Sequence, residues 1–213
     1  MTLAVNRQLR QRWEWCLIIS AVSFVSVMAL VALKATHGAD QGLLDLIRQL
    51  KTPWLTSFIE GVTHTGGPTG TFIEAGAIAV ILFIKSQPWQ GGIALATVLM
   101  GDGFYSLIKQ IVKRPRPMHQ ILPTGGYSFP SGHTLGTTLV ALLLWTLFVT
   151  QMHRGWLRWT VTVLLVLWVI LIGFSRLYLQ VHFPTDVLGG VLGALMLWSG
   201  IRLLGGNQPN AGV

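Results

Sequence analysis

The sequence is short of charge and of cysteine. Only 10% of its 213 residues are charged, whereas soluble domains carry roughly 25%, and this excludes a chain that faces water on all sides. The lone cysteine, Cys16, excludes an internal disulfide, and no metal-ligand spacing accompanies it. The net charge is +8, but the cations stand at the ends of apolar runs rather than along a polar stripe, so we expect no nucleic-acid partner.

Long apolar runs are what the sequence does contain, and a spanning helix needs about 20 apolar residues. The first run is too long for the apolar core of a cleaved signal peptide, so we interpret it as a retained span. We predict an all-α polytopic membrane protein with one domain over residues 1–204 and a polar tail over residues 205–213. The six predicted spans cover about Trp13–Leu33, Pro68–Ile84, Gly91–Ile108, Thr134–Val149, Trp156–Phe174 and Thr185–Leu204.

The segment Asp40–Thr63 separates the first two predicted spans. Apolar residues that include Leu44 and Ile47 recur in it at helical spacing, and Pro53 interrupts the pattern. This pattern predicts a short amphipathic helix and a turn that lie in the membrane interface. A helix packed over the bundle fits the same pattern equally well.

Cations in short loops indicate how a membrane protein is oriented. A cytoplasmic N-terminus places on the inner side a set of cations that includes Arg7, Arg154 and Arg202, with almost no acids. The count is nearly even, because the other side holds the cations between Lys109 and Arg116. We therefore base the orientation on the interpretation that the cations between Lys109 and Arg116 belong to a functional site. It predicts both termini in the cytoplasm and the charged stretches at the outer face of the cell membrane.

The first of these charged stretches is residues 109–117, KQIVKRPRP. Lys109 and Arg116 are seven residues apart, and its two prolines predict that the helix breaks near Arg114. Both side chains can then point into one pocket, where the arginine fork and the lysine charge suit phosphate oxygens. A basic cluster touching lipid head groups is the alternative, and we favour it for Lys113 and Arg114.

The second stretch is residues 130–133, PSGH, at the start of the fourth predicted span. A helix N-terminus presents free N–H groups and the positive end of its dipole. Ser131 can cap the helix, and Gly132 lets a ligand approach the backbone. His133 then stands one residue inside an anion-binding end, where it can exchange a proton. A purely structural histidine at a helix start is the alternative.

The third stretch is residues 175–186, SRLYLQVHFPTD. Pro184 suits the first turn of the last span, and Asp186 then lies within reach of His182. A carboxylate bonded to one imidazole nitrogen fixes the tautomer and leaves the other nitrogen as a nucleophile. The alternative is an interfacial pair that only ties two helices together. Arg176 stands at the end of the fifth span and adds a third cation.

Together the three stretches resemble the signature motifs of the type 2 phosphatidic acid phosphatase superfamily, which also includes vanadium haloperoxidases and bacterial acid phosphatases. The family pattern is Lys, six residues, Arg-Pro; then Pro-Ser-Gly-His; then Ser-Arg, five residues, His, three residues, Asp. The chain matches every position and both internal gaps. The layout of six spans is similar to that of the membrane lipid phosphatases in this family.

The resemblance implies a role for each matched residue. His182 would attack phosphorus and become a phosphohistidine, with Asp186 as its partner, and His133 would protonate the leaving oxygen and then deprotonate water. Three cations and a helix end can neutralise the phosphate, so we expect no metal and no other cofactor. The phosphoryl oxygens would be held by a cradle, formed by Lys109, Arg116, Ser131, Gly132 and Arg176.

Two acids stand inside apolar runs, Asp102 in the third span and Glu74 in the second. Ionisable groups within the membrane are costly and are candidates for function. We therefore consider both as supporting residues, for instance through a pair with Lys109. Hydrogen bonds that merely tie helices together are the alternative.

We expect an enzyme that hydrolyses a lipid phosphate or diphosphate, with the lipid and the bilayer as its partners. Undecaprenyl diphosphate suits the outer face best, phosphatidylglycerol phosphate is a close second, and phosphatidate is third. One alternative is a vanadate-dependent haloperoxidase, which would use the same residues. The other is a catalytically silent lipid-binding membrane protein, against which the intact His182, His133 and Asp186 argue.

Overall fold

A computed structural model of the chain describes residues 2–204, and the side chains of residues 7–204. Within that range the chain is all-helical and contains no strand, as predicted. The predicted tail, residues 205–213, lies outside the described residues. The helices are α1 (Thr2–Ala32), α2 (His37–Arg48), α3 (Pro53–Thr65), α4 (Pro68–Ile84), α5 (Pro88–Val112), α6 (Gly132–Leu147), α7 (Gly155–Tyr178) and α8 (Pro184–Leu204), and a 3₁₀ turn, Val149–Gln151, follows α6.

Five of the helices are long and apolar enough to cross a membrane. Four of them are α1, α5, α7 and α8, and the fifth is α6 taken together with its 3₁₀ turn. Helices α3 and α4 meet the same criterion only as a pair, which is bent by 48° at the break between them. Each predicted span overlaps one helix. Helix α1 begins earlier than predicted, because no glycine or proline interrupts its first turns.

The segment after α1 contains two helices where the sequence predicted one helix and a turn. Thr52 caps α3, since its hydroxyl accepts a hydrogen bond from the Leu55 N–H at 3.3 Å, and Pro53 occupies the first helical position. Helix α2 buries one face that carries Asp40, Leu44 and Ile47. That face packs against α7 and α8, so α2 covers the end of the bundle where α7 finishes and α8 begins.

Helix α6 lies at the centre of the bundle. Leu135, Leu139 and Leu143 are buried completely, in a core shared with α4, α5 and α8. The outer faces of the bundle are apolar as well: Ile19 on α1 is 62% exposed and Ile170 on α7 is 59% exposed. Exposed apolar side chains on long helices suit contact with lipid. The N-terminus of α6 is thus held from several sides at one end of a membrane bundle.

Small residues on α8 permit the close approach of α6. A Cβ atom on Gly190 would lie 2.7 Å from the Ser131 carbonyl oxygen, and one on Gly189 would lie 2.5 Å from the Phe129 ring. Because the first of these obstacles is backbone, α8 would have to move to admit a side chain. Gly190 therefore sets the distance between the start of α6 and the start of α8.

We expect Gly190→Ala to destabilise the protein by about 1–3 kcal/mol, the usual cost of overpacking. The alanine gains helix propensity, but this gain is smaller than the cost of the clash. Gly200→Ala on the same helix is the matched control, because nothing lies within 4 Å of its added Cβ. Thermal unfolding in detergent should show a lower melting temperature for Gly190→Ala and an equal or higher one for Gly200→Ala. Equal melting temperatures would contradict the close packing.

Candidate active site

Helix α5 ends where the sequence predicted a break. Its C-cap, Lys113, adopts a left-handed conformation with φ of 50°, and the chain then leaves the helix. The Lys109 ammonium, in the last turn, donates to the Tyr127 carbonyl at 2.7 Å. On the departing loop, Arg116 Nη1 donates to the Val181 carbonyl at 2.7 Å. Carbonyl groups therefore hold both cations, and Arg116 Nε donates to two more, those of Gly125 and Gly126, at 3.1 Å.

Ser131 caps α6, as predicted. Its hydroxyl accepts hydrogen bonds from the Thr134 N–H at 3.4 Å and the Thr134 hydroxyl at 3.0 Å. Its own N–H donates to the Asp186 carbonyl at 2.9 Å, which ties the start of α6 to the start of α8. His133 is the second residue of α6. A Cβ atom on Gly67 would lie 3.3 Å from His133 Nε2, so the bend between α3 and α4 packs beside this imidazole.

Arg176 lies buried at the end of α7 with an exposed fraction of 2%. Its Nη1 donates to the Thr63 hydroxyl at 2.7 Å, and Ser175 donates to the same hydroxyl at 3.0 Å. The Arg176 Nε has no hydrogen-bond partner among the described residues. A buried guanidinium with an unused donor favours an anionic ligand. Thr63, on α3, positions this cation and has no counterpart in the sequence motifs.

His182, in the turn between α7 and α8, lies beside Asp186 in the first turn of α8, but its Nδ1 makes no hydrogen bond with that carboxylate. His182 Nδ1 lies 3.5 Å from Asp186 Oδ2, and that oxygen accepts the Phe183 N–H at 2.8 Å. His182 Nε2 lies 3.2 Å from Arg116 Nη1. Because a guanidinium only donates, Nε2 must accept, which leaves the imidazole proton on Nδ1, facing Asp186.

Burial and the charges of Arg116, Arg176 and Lys109 lower the pKa of His182 well below its usual value. The imidazole is therefore neutral at neutral pH and remains so as the solution becomes moderately acidic. The same three cations and the His182 ring also lie close enough to His133 to interact with it electrostatically. The predicted cations and imidazoles thus converge at one end of the bundle, and together they favour a doubly charged anion between them.

The interpretation of Arg114 as a lipid-facing cation is wrong. Its side chain is only 8% exposed and forms ion pairs with Asp186 and Asp40, both at 2.6 Å. Lys113, next to it, is exposed as predicted. Sequence reasoning missed the pairing because Asp40 is 74 residues from Arg114. The available signal was an acid on the apolar face of an amphipathic helix.

The two acids inside apolar runs do not pair with Lys109. The ion pairs among the described side chains do not include Asp102 or Glu74. Glu74 Oε2 is buried without a hydrogen-bond partner in the same part of the chain. Asp102 lines a small cavity beside Tyr105 and Gly132. The example of a direct pair with Lys109 is therefore wrong, and an indirect supporting role for either acid stays a prediction.

The chain is similar to known proteins both in sequence and in fold. Residues 90–208, more than half of the chain, match the PAP2 superfamily. Phosphatidylglycerophosphatase B of Bacillus subtilis is 27% identical over 181 residues, which are 82% of this chain and 87% of that protein. An undecaprenyl-diphosphatase of Sulfolobus acidocaldarius is 22% identical over 191 residues, 86% of this chain and 87% of the relative.

A solved structure shares the fold. It is the crystal structure of a transmembrane PAP2-type phosphatidylglycerolphosphate phosphatase from Bacillus subtilis, with a TM-score of 0.82 at 23% identity. The match covers 93% of this chain and 100% of that one. Sequence motifs, family match and fold agree, and the chain therefore belongs to the PAP2 superfamily.

Proposed function

We propose that this protein is a membrane lipid phosphatase that removes a phosphate through a phosphohistidine intermediate on His182. One observation supports this most strongly: the two ring nitrogens of His182 face groups of opposite charge. Arg116 Nη1 lies 3.2 Å from Nε2, and Asp186 Oδ2 lies 3.5 Å from Nδ1. This pairing orients a neutral imidazole beside a phosphate-binding cation. The names of the relatives, which are phosphatases of lipid phosphates, point to the same activity.

In the first step, the Nε2 lone pair of His182 attacks phosphorus. The N–P bond forms as the bond between phosphorus and the lipid oxygen breaks. The negative charge of the bound phosphate favours the protonated form of His133, which donates its proton to that leaving oxygen. Asp186 faces the Nδ1–H and stabilises the positive charge that develops on the imidazole. Arg116 releases its contact with Nε2 and donates to the phosphoryl oxygens instead, because Nε2 and these oxygens lie in the same pocket.

In the second step, water attacks the phosphohistidine. His133, now neutral, accepts a proton from the water, whose oxygen forms a bond to phosphorus. The N–P bond breaks, inorganic phosphate leaves, and both imidazoles return to their initial states. Each step moves charge onto the equatorial oxygens, which need fixed positive groups around them. We assign that cradle to Lys109, Arg116, Arg176, the Ser131 hydroxyl and the Gly132 amide, and the scheme requires no metal ion.

The proposed topology has six spans, with the bent pair of α3 and α4 crossing as one. Both termini are then cytoplasmic, and the motif residues face the outer side of the cell membrane. Helix α2 lies at the interface on that side, over the proposed site, and residues 1–204 form a single catalytic domain. This arrangement places a lipid head group against the cations while its chains remain between or beside the helices.

We propose phosphatidylglycerol phosphate and undecaprenyl diphosphate as the leading substrates, and phosphatidate as the third. The names of two relatives that align with most of this chain support the first two. Both present a terminal phosphate on a membrane-anchored lipid, which suits a pocket at the end of the bundle. The proposed cradle contacts only the phosphate, so we expect one protein to accept more than one of these lipids.

Phosphate release from detergent-solubilised protein tests this function. We expect the leading lipids to be hydrolysed in EDTA with a kcat/KM at least about tenfold above that of glycerol 3-phosphate, since about 1.4 kcal/mol of contact with the lipid chains suffices for that ratio. Equal hydrolysis of the soluble ester would contradict a lipid-specific function. Loss of activity in EDTA, restored by a divalent cation, would contradict the metal-independent scheme.

A further inference from the structure

Arg114 connects two carboxylates that come from opposite ends of the sequence. Its Nη2 donates to Asp40 Oδ2 at 2.6 Å, and its Nη1 donates to Asp186 Oδ1 at 2.6 Å. The exposed fractions of the three side chains are 8%, 2% and 0%. Charges buried this deeply are tolerated only when they are paired and hydrogen-bonded. The bridge therefore holds Asp186 in one position.

Both terminal nitrogens of Arg114 donate hydrogen bonds within the protein. Nη1 also donates to the Thr185 hydroxyl at 2.7 Å, and the guanidinium lies over the Phe183 ring at 4.1 Å from its centre. Arg176, by contrast, keeps an Nε without a partner among the described side chains. Arg114 thus has both terminal nitrogens on carboxylates, whereas the Nη1 of Arg176 donates to a neutral hydroxyl. The position of Arg114 suits a contact with the carboxylate rather than with the phosphate.

Asp40 attaches α2 to the start of α8. Its Oδ1 accepts the Thr185 N–H at 3.1 Å, and its Oδ2 accepts the Thr185 hydroxyl at 2.7 Å. The first turn of a helix has free N–H groups that favour a negative charge. Asp40, which lies on α2, therefore caps α8 at Thr185, the residue before Asp186. The carboxylate that faces His182 is restrained along the backbone and through its side chain.

We propose that Arg114 and Asp40 are positioning residues for the proposed nucleophile, and that α2 is thereby part of the active site. This inference rests on the function proposed above. The bridge fixes Asp186, Asp186 orients the Nδ1–H of His182, and the Nε2 lone pair then points at phosphorus. A misplacement of about 1 Å in a reacting group costs about 10²-fold in rate. Loss of the bridge should thus affect turnover while leaving the phosphate cradle intact.

Two substitutions at Arg114 test the proposal through kcat and tungstate binding. Arg114→Lys keeps the charge, but one ammonium cannot replace a planar fork between two carboxylates. Arg114→Met removes the charge altogether. We expect kcat to fall by about 10²-fold in both variants, with the dissociation constant for tungstate, measured by calorimetry, changed by no more than about twofold. Asp40→Asn should lower kcat in the same direction.

Lys113→Met is the matched control, because it removes the neighbouring cation, which is exposed. It should keep the wild-type kcat. A kcat within about threefold of wild type in Arg114→Lys would overturn the proposal. So would a parallel loss of tungstate affinity, since the residue would then shape the whole pocket. If Arg114→Met does not fold, Arg114→Lys and Asp40→Asn decide the question by the same two measurements.

The function proposed above has a separate criterion. If His182→Ala keeps wild-type activity, or if wild-type protein hydrolyses none of the lipids, that function is wrong whatever the Arg114 variants show. If wild type is active, His182→Ala is inactive and Arg114→Lys is fully active, only the positioning inference is wrong. The two failures are therefore distinguishable.

Discussion

His182→Ala should lower kcat/KM for the lipid substrates by at least about 10³-fold, which corresponds to about 4 kcal/mol of transition-state stabilisation. The physical reason is that the substitution removes the nitrogen that is to form the bond to phosphorus. The cradle cations remain in place, so substrate binding should persist. Phosphate release measured at several lipid concentrations separates the loss in kcat from any change in KM.

The covalent intermediate provides a second measurement for the same prediction. Protein quenched in alkali after brief incubation with ³²P-labelled lipid should retain label in the wild type, because a phosphorus–nitrogen bond is stable in base and is cleaved in acid. His182→Ala should retain none. His153→Ala is the matched control, since His153 is exposed on the connection between α6 and α7, and it should behave as wild type. Labelling of His182→Ala would show that another residue is the nucleophile.

His133→Asn should have the second largest effect, and the effect should depend on the leaving group. General acid–base catalysis contributes roughly 10²–10⁴-fold, so we expect a loss of that size on a lipid whose alkoxide needs a proton. An aryl phosphate leaves without one, and its phosphohistidine should form at close to the normal rate. The variant should then accumulate the intermediate, because no base activates water in the second step.

A rapid-quench experiment distinguishes these steps. With the aryl phosphate, His133→Asn should show a burst of the released phenol followed by slow phosphate release. The wild type should show a smaller burst or none. An equal loss with both leaving groups and no burst would indicate that His133 only shapes the pocket. Gly67 lies against the His133 ring, so the side chain at position 133 should remain close to isosteric, and asparagine meets that requirement.

The local structure around the motif residues could be predicted because it depends on short spacings within the sequence. Ser131 was predicted to cap a helix and does so, since a serine before a glycine at the start of an apolar run needs no distant partner. Pro184 was predicted to begin α8, and it does. The apolar runs likewise predicted the spanning helices, because about 20 apolar residues form a helix in lipid whatever surrounds them.

The interpretation of Arg114 failed for the opposite reason. Its environment depends on α2, whose packing over α7 and α8 brings Asp40 to it across 74 residues. The two prolines and the neighbouring lysine suggest that the cations of this stretch are exposed. Lys113 is exposed, but Arg114 is not. The two residues differ in their surroundings: the Arg114 side chain lies between Asp40 and Asp186, whereas Lys113, at the left-handed C-cap of α5, is exposed.

By itself the sequence determined a membrane-spanning, all-α chain and the set of residues to which we assign the proposed phosphate site. Those properties follow from hydrophobicity and from short spacings, which act within one helix or one turn. The tertiary structure decided which cations bind carbonyls, which one is buried between carboxylates, and how α3 and α4 bend beside His133. These outcomes depend on which helices pack together, because a buried charge is stable only where distant parts of the chain bring its partners.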